Sequence, residues 1–511
     1  MWQMSVFDHW HKNFSFETLR HRLWAMPMPL IIIPFIVGII LANNFDTPIE
    51  VVCGAIIVAM IGALYSRPHN VAYMFVTLLV MLFGVLVVML GRLSVSTPYN
   101  CVVEMKVDIV SPIVEREDYS VAEGRIKEWQ GDVEWHEAND RVQLWLRSDT
   151  LRYGDRVHIV GELRERISRY KDYNTLMHNR GYVGGIGISD FQIIDIERDI
   201  AGGVRRYAIE KLGRYAKDTA SHSVVEGMVA GARYTMPSGL RQAYSTTGLS
   251  HILAVSGLHL GIILLVINLL LKPLKLLTQG HILADILAVG ALWLFVVMSG
   301  ASPSVVRAAL MLSVLMFVRN STGHYNPINA LAFTILLMLC YNPQTLYDIS
   351  FQLSVLAVTG IVAWGAPMVR AIRFRRKFIG VVLSTLVIGI VATLWTLPIV
   401  SMTFGNIPIV GVVATPLVLI TAYAIVSCGV IVLLLPHPIA QPFALLAEWL
   451  SSIQNVVVEW FSALPFASIQ YAFTPTMIAI YYTLFGVITL ALWSHKPTNK
   501  RQMLTLSQLE K

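Results

Sequence analysis

Charged side chains and cysteines are both scarce in this chain of 511 residues. Asp, Glu, Lys and Arg together make up 14% of the sequence, hydrophobic residues make up 55%, and the mean hydropathy is +0.61. This composition excludes an ordinary soluble domain and is typical of polytopic membrane proteins. Three of the four cysteines lie in apolar segments, so we expect no disulfide framework. The cysteines are Cys53, Cys101, Cys340 and Cys428.

Motifs for hydrolysis and for nucleotide binding are also missing. The sequence contains no H-x-H-x-D-H, no H-E-x-x-H and no Walker A loop, which are patterns that place metal ligands or cradle phosphates. We therefore expect no bound metal, no cofactor and no nuclease or ATPase activity in this chain. Energy or hydrolysis, where it is needed, must then come from partner proteins.

Hydropathy and charge divide the chain into five regions. Residues 1–98 form an apolar block of about three spans, residues 99–199 alternate polar and apolar residues in short runs, and residues 247–495 are again apolar. A basic segment lies at 200–246 and a basic tail at 496–511. The pattern predicts a polytopic α-helical membrane protein of about 10–12 spans, with a small β-barrel or sandwich domain inserted after the third span.

The basic residues predict the orientation of the chain. Clusters of Lys and Arg precede the first apolar run and recur between later runs, all on one side if the β-domain is on the other. Because such clusters stay cytoplasmic, we expect cytoplasmic termini and an extracytoplasmic β-domain. The segment 200–246 has the spacing of an amphipathic interfacial helix, and anionic membrane lipids are the partner that we favour for its basic face.

A stretch with the sequence TTGLSHILAVSGLHLG begins the second apolar block and leads into a predicted span at Leu249–Leu271. Polar side chains at membrane depth are costly and often functional. The two histidines lie about 12 Å apart along a helix, too far to ligate one metal ion. Both a tightly packed helix with satisfied histidines and the lining of a pathway fit this pattern. The residues concerned are His251, Ser256 and His259, with Gly257 and Gly261 as a small face for helix packing.

A single arginine, Arg307, lies inside the second apolar run after the predicted span at Leu249–Leu271. An arginine at a helix centre costs about 2.5–3.5 kcal/mol on insertion scales, so it either snorkels to the interface or faces an aqueous path that admits an anion. Other polar residues recur near span ends, where helix capping explains part of the pattern and a hydrated interior explains the rest. These further candidates are Asn326, Asn329, Asp348, Gln352 and Asn406.

One predicted strand of the β-domain has an aromatic residue between arginines on a single face. Arg141, Trp145 and Arg147 share that face, an arrangement by which proteins stack bases and pair phosphates of single-stranded nucleic acid. The domain is acidic up to Asp140 and basic from Arg141, so a solvated surface of mixed charge is the alternative.

Taken together, these motifs resemble the competence domain of ComEC-type DNA-uptake proteins. The similarity is carried by TGLSHILAVSGLHLGI, by RAALM with Arg307, by the DISFQLS run and by FGNIPIVGVVATP. It extends to the inserted domain through GDRVHIVGEL and YKDYNTLMHNRGYVG, which resemble the OB-like module of the family.

The resemblance implies import of one DNA strand across the bacterial cytoplasmic membrane during natural transformation. It implies a helix bundle as the channel and an OB-like outer domain, with a DNA receptor outside, a cytoplasmic motor and a separate nuclease as partners. Many relatives carry a carboxy-terminal metallo-β-lactamase-like domain, which we expect to be lacking here. Two alternatives remain open. One is a proton-coupled transporter of a small solute or lipid, using Asp285, Glu448 or Glu459. The other is an intramembrane hydrolase, using Ser256 and His259.

Overall fold

The computed structural model describes residues 27–494 apart from short gaps. The gaps are residues 46–47, 66–68, 93–96, 111–112, 116–118, 132–133, 147–150, 152–153, 166, 168–173, 175–176, 178–181, 189–190, 197–199, 233–235, 254, 278–279, 322–325 and 372–376. The predictions for Arg147, for the amino-terminal basic cluster and for the basic tail lie outside the described residues.

Three helices begin the described chain where three spans are predicted. They are α1 (Pro27–Asn44), α2 (Ile49–Tyr65) and α3 (His69–Arg92). α1 and α3 cross at glycines: a Cβ atom on Gly38 would lie 1.9 Å from the carbonyl oxygen of Met81, and one on Gly84 would lie 2.3 Å from that of Phe35. Small residues thus allow the two backbones to touch, as is common between membrane helices.

The inserted domain is a seven-stranded sheet with the order β6-β4-β3-β1-β5-β7, in which β2 pairs with β3. Its strands are β1 (Val102–Ile109), β2 (Val114–Glu115), β3 (Ser120–Gln130), β4 (Trp135–Leu146), β5 (Asp155–Glu162), β6 (Tyr182–Ile188) and β7 (Phe191–Ile196). β4 and β6 are parallel, and the pairs β1–β3, β1–β5, β2–β3, β3–β4 and β5–β7 are antiparallel. A bridge between Arg164 and Gly185 connects the chain after β5 to β6. The core of the domain includes Met105, Leu144 and Ile186.

The segment after the sheet forms three helices: α4 (Ile200–Gly213), α5 (Thr219–Ala230) and α6 (Ser238–Thr246). α4 and α6 are amphipathic. α5 is not, because every residue from Ser221 to Ala230 is buried. The prediction of interfacial helices throughout 200–246 is therefore wrong for α5, whose two titratable side chains find partners inside the bundle.

The remaining chain forms the main helix bundle. Its elements are α7 (Ser250–Leu253), α8 (Gly257–Leu270), a 3₁₀ turn (Pro273–Leu276), α9 (Gly280–Met298), α10 (Pro303–Ser321), α11 (Pro327–Tyr341), a 3₁₀ turn (Pro343–Tyr347), α12 (Ile349–Gly360), a π-helical turn (Ile361–Gly365), α13 (Ala366–Ala371), α14 (Lys377–Phe404), β8 (Asn406–Pro408), α15 (Gly411–Leu434), α16 (Gln441–Ser462), β9 (Ser468–Gln470) and α17 (Pro475–Ser494). Pro398 and Pro416 lie within α14 and α15, and the chain breaks between these helices at Gly405, which has φ +67°.

Six helices of the described chain are long and apolar enough to cross a membrane, and five shorter ones are also apolar. The six are Pro27–Asn44, Val71–Gly91, Gly280–Met298, Ile349–Arg370, Leu383–Phe404 and Gly411–Leu434. The prediction of a polytopic helical membrane protein is thus confirmed. The helix α16 is in neither group and carries polar side chains on its buried face.

Candidate functional site

The polar stretch that ends at Gly261 is divided between two short helices and a break. α6 ends at Thr246, the chain turns at Gly248, and α7 is followed by a break before α8 begins. Gly248 has φ +72°, and a Cβ atom there would lie 2.6 Å from Cγ of Pro408, so both backbone conformation and space require glycine. The prediction of one unbroken span at Leu249–Leu271 is therefore wrong, because α7 ends at Leu253 and α8 begins only at Gly257.

Ser256 and His259 are joined at the amino terminus of α8. The backbone N–H of Ser256 donates to Nδ1 of His259 over 3.2 Å, and the Ser256 hydroxyl lies 2.9 Å from the same nitrogen. Because Nδ1 accepts, the neutral ring carries its proton on Nε2, an atom that is buried and has no partner among the described residues. The pair therefore acts as a helix cap, and no carboxylate in the described chain orients the imidazole as a hydrolytic triad would require.

The other residues of this stretch have different surroundings. The ring of His251 is exposed, and its Nδ1 lies 2.8 Å from the carbonyl oxygen of Gly248. A Cβ atom on Gly257 would lie 3.2 Å from Cβ of Ala308 on α10, whereas one on Gly261 would meet no atom within 4 Å. Of the two predicted packing glycines, only Gly257 lies at a close helix contact.

Arg307 is 4% exposed, so it does not snorkel to solvent. Its Nη2 donates to the hydroxyl of Ser354 on α12, and its Nη1 lies 3.9 Å from the sulfur of Met311. Its Nε has no hydrogen-bond partner in the described chain. The Ser354 hydroxyl also lies 3.2 Å from that of Ser304. A buried guanidinium thus contacts one neutral hydroxyl and one thioether, without a carboxylate from the residues that the structure describes.

The other residues predicted to line a pathway lie apart from Arg307 and take part in contacts with the backbone. Asn326 and Asp348 cap α11 and α12 through backbone N–H groups, and Gln352 donates to the carbonyl oxygen of Leu346 over 3.0 Å. Asn329 accepts from the backbone N–H of Met28 over 3.4 Å, which ties α11 to α1. Asn406 pairs with Gln470 in the two-stranded sheet. The structure therefore brings together Arg307, Ser304 and Ser354, and distributes the other candidates over helix ends.

A buried polar row on α16 is the main feature that sequence reasoning missed. Gln454 donates to the hydroxyl of Tyr244 over 2.8 Å, that hydroxyl donates to Asn455 over 3.0 Å, and Thr421 donates to Gln454 over 2.8 Å. The spacing of three to four residues along one helix face was a usable signal. We call this row the α16 polar seam; its members are Glu448, Ser451, Gln454 and Asn455, all buried.

The seam continues at Glu448 into α5. Nε2 of His222 lies 3.1 Å from Oε1 of Glu226, and its Nδ1 lies 3.4 Å from Oε1 of Glu448. The same Glu448 oxygen accepts from the backbone N–H of Lys217 over 3.0 Å. Burial of the ring lowers the pKa of His222. The hydrogen bonds and negative charges of Glu226 and Glu448 raise it by more, so the pKa lies above its usual value. An imidazole ring held between two carboxylates therefore fastens α5 to α16.

The two β-domain candidates that the structure describes, Arg141 and Trp145, contact residues of their own domain. Arg141 pairs with Glu123 over 2.6 Å, and its guanidinium carbon lies 4.6 Å from the centre of the Tyr182 ring. The Trp145 ring packs over Gly185, where a Cβ atom would lie 2.3 Å from it, and contacts a small cluster with Tyr182. The neighbouring charges on the sheet are also paired, as in Lys106–Glu128 and Arg156–Asp108, each at 2.6 Å. Nucleic-acid binding by this face stays a prediction.

Comparison with known proteins identifies the family of the chain. A family model described as "Competence protein" matches residues 228–497, which is more than half of the chain. The chain is 28% identical over 192 residues to "ComE operon protein 3" of Bacillus subtilis (strain 168), covering 38% of this chain and 24% of that protein. It is 31% identical over 160 residues to an uncharacterized protein of Aquifex aeolicus (strain VF5), covering 31% of this chain and 37% of that protein.

These alignments span well under two thirds of either relative. No solved structure matches the chain. The region matched by the family model contains α8 with its Ser256–His259 cap, the Arg307 site and the α16 polar seam. The resemblance that the sequence motifs suggest is therefore confirmed, and the chain belongs to the ComEC family of competence proteins.

Proposed function

We propose that this chain is the channel through which a single DNA strand crosses the bacterial cytoplasmic membrane during natural transformation. Family membership supports a role in DNA uptake. The observation that carries the channel proposal is Arg307, a buried cation that contacts no carboxylate of the described chain. A membrane interior rejects both this cation and a polyanionic strand, and each would relieve the cost of the other.

The β-domain fits the proposal as an OB-like outer module. Its central strands have the order β6-β4-β3-β1-β5, the β4–β6 pair is parallel, and the Arg164–Gly185 bridge draws the two ends of this order together. A small closed or nearly closed barrel of five strands is the architecture of OB-folds, which bind oligonucleotides. We place this module outside the membrane, with both chain termini in the cytoplasm and with the DNA receptor, motor and nuclease as separate proteins.

Under this proposal the chain is a channel and not an enzyme. In this structure Arg307 and His259 are enclosed by side chains, so passage of a strand requires neighbouring helices to separate. The contacts between α10 and α12 at Arg307 have neutral hydroxyl groups as acceptors. A phosphate would offer the guanidinium a negatively charged acceptor, with which it makes a stronger and bidentate contact.

A deletion strain tests the proposal. Cells without this chain should bind labelled double-stranded DNA at their surface in normal amounts yet accumulate no labelled single strand in the cytosol. A plasmid-borne copy should restore cytosolic label. Normal transformation of the deletion strain would contradict the proposal.

Proton-coupled transport of a small solute or lipid is the second candidate, and one specific observation favours it. Glu448 is a buried carboxylate that is 3.4 Å from Nδ1 of His222, which is the type of pair that can carry a proton. The other two acidic candidates are less suitable, since Asp285 lies 3.7 Å from Lys275 and Glu459 is exposed. Loss of solute uptake in Glu448→Gln cells with intact DNA import would favour this candidate.

A further inference from the structure

A guanidinium at a depth where charges are normally paired needs an explanation. Buried Arg side chains in proteins usually contact a carboxylate. Arg307 is 4% exposed and contacts two neutral groups, the hydroxyl of Ser354 and the thioether of Met311. Its Nε–H points to no acceptor in the described part of the chain. The positive charge is thus buried but not neutralised by the described residues.

The groups around this charge are donors suited to an anion. Ser304 lies one turn before Arg307 on α10, and Ser354 faces both of them from α12. The guanidinium contacts one of the two hydroxyls, and that hydroxyl contacts the other, beside the buried apolar residues Val305, Ala308 and Ala309 of α10. A planar fork with two hydroxyls beside it is a common donor set for a tetrahedral oxyanion.

The present contacts are ones that an anion can replace. The guanidinium now donates to a neutral hydroxyl, whereas a phosphate would add a negative charge on the acceptor and could accept from two guanidinium N–H groups at once. The freed Ser354 hydroxyl could then turn its own proton toward the same anion, because a hydroxyl rotates to suit its partner. Separation of α10 from α12 by an entering anion therefore exchanges weak contacts for strong ones.

We infer that Arg307, Ser304 and Ser354 form a desolvated binding site for one phosphodiester group. The inference rests on the proposed function, since the strand in transit supplies one phosphodiester per nucleotide. A phospholipid headgroup offers the same chemistry, so the experiment must separate these two sources. A single site of this kind holds one phosphate at a time, which favours stepwise passage and not retention of the strand.

The first experiment measures cytosolic single-stranded DNA in cells whose only copy of the chain is a variant. Arg307→Gln should lower import by about 10- to 100-fold, the range for loss of a hydrogen bond to a charged group. Arg307→Lys keeps the charge but loses the planar fork and should retain intermediate import. Arg370→Gln is the matched control, because Arg370 is exposed and bonds only its own helix among the contacts described, and its import should be normal.

The second experiment measures thermal stability of the full chain purified in detergent. A single-stranded oligothymidylate should raise the unfolding temperature of the wild-type chain and not that of Arg307→Gln. The same oligonucleotide with an uncharged methylphosphonate backbone should have no effect on either. Phosphatidylglycerol is added in a parallel series as the lipid source of a phosphodiester.

The outcomes distinguish this inference from the proposed function. If deletion abolishes import but Arg307→Gln, at wild-type abundance, imports normally, the phosphodiester site is refuted and the channel remains. If deletion leaves import intact, the channel itself is refuted. Stabilisation by phosphatidylglycerol alone, lost in Arg307→Gln, would show a lipid site and would overturn the assignment to DNA.

Discussion

The bundle holds two buried polar regions that differ in how completely they are paired. In the α16 polar seam each side chain has a hydrogen-bond partner from a neighbouring helix, as in the Tyr244–Gln454 contact and the His222–Glu448 contact. Around Arg307, one nitrogen has no partner in the described chain and the others contact neutral atoms.

Burial alone therefore does not identify a functional polar group in a membrane bundle. A saturated network fixes which helices pack together, because removal of any member leaves a partner unsatisfied. A cation that lacks a counter-ion and a full set of hydrogen-bond partners can instead bind an anionic ligand. The comparison assigns the seam to structure and Arg307 to function, and four substitutions can break or sharpen it.

The largest effect on stability is expected at Glu448. Glu448→Ala removes a buried carboxylate from His222 and from the backbone N–H of Lys217, and loss of one partner of a buried pair costs about 3–5 kcal/mol. Denaturant unfolding of the purified chain measures this. Glu459→Ala on the exposed face of the same helix is the control, and equal stabilities for both variants would argue against the seam.

Arg307→Met is expected to act in the opposite direction. Because the charge has no counter-ion among the described residues, a hydrophobic side chain of similar length should leave the free energy of unfolding unchanged or raise it by about 1–4 kcal/mol. The same unfolding measurement applies. A loss as large as that of Glu448→Ala would mean that Arg307 also serves packing.

Tyr244→Phe should have a smaller effect within the seam. It removes the hydroxyl that accepts from Gln454 and donates to Asn455, and leaving buried polar groups unsatisfied costs about 1–3 kcal/mol. Tyr341→Phe is the control, since Tyr341 is 94% exposed. Indistinguishable unfolding curves for the two variants would contradict the role of this hydroxyl.

The smallest effect is a pH dependence at His222. Its pKa is raised in the folded chain, so its contribution to stability is complete below the unfolded value of about 6.5 and is lost as pH rises through the folded pKa. The difference in unfolding free energy between wild type and His222→Gln should thus be greatest at mildly acidic pH. A difference that grows with rising pH would have the wrong sign.

Hydropathy and motifs predicted the architecture of this chain better than they predicted its site. Apolar runs located most helices and alternation located the strands, because burial patterns repeat along the sequence. The turn at Gly248 was missed, since it depends on contact with Pro408, which is distant in sequence. The pairing of Ser354 with Arg307 and of Glu448 with His222 was likewise invisible, because residues on different helices meet only in the folded bundle.

Import by the Arg307→Met strain tests the central claim most directly. The variant should reach normal abundance in the membrane and unfold no more easily than wild type, yet deliver at least about tenfold less single-stranded DNA to the cytosol. Wild-type import by this stable variant would show that the buried charge has no part in passage of the strand, and the distinction between the two polar regions would fail.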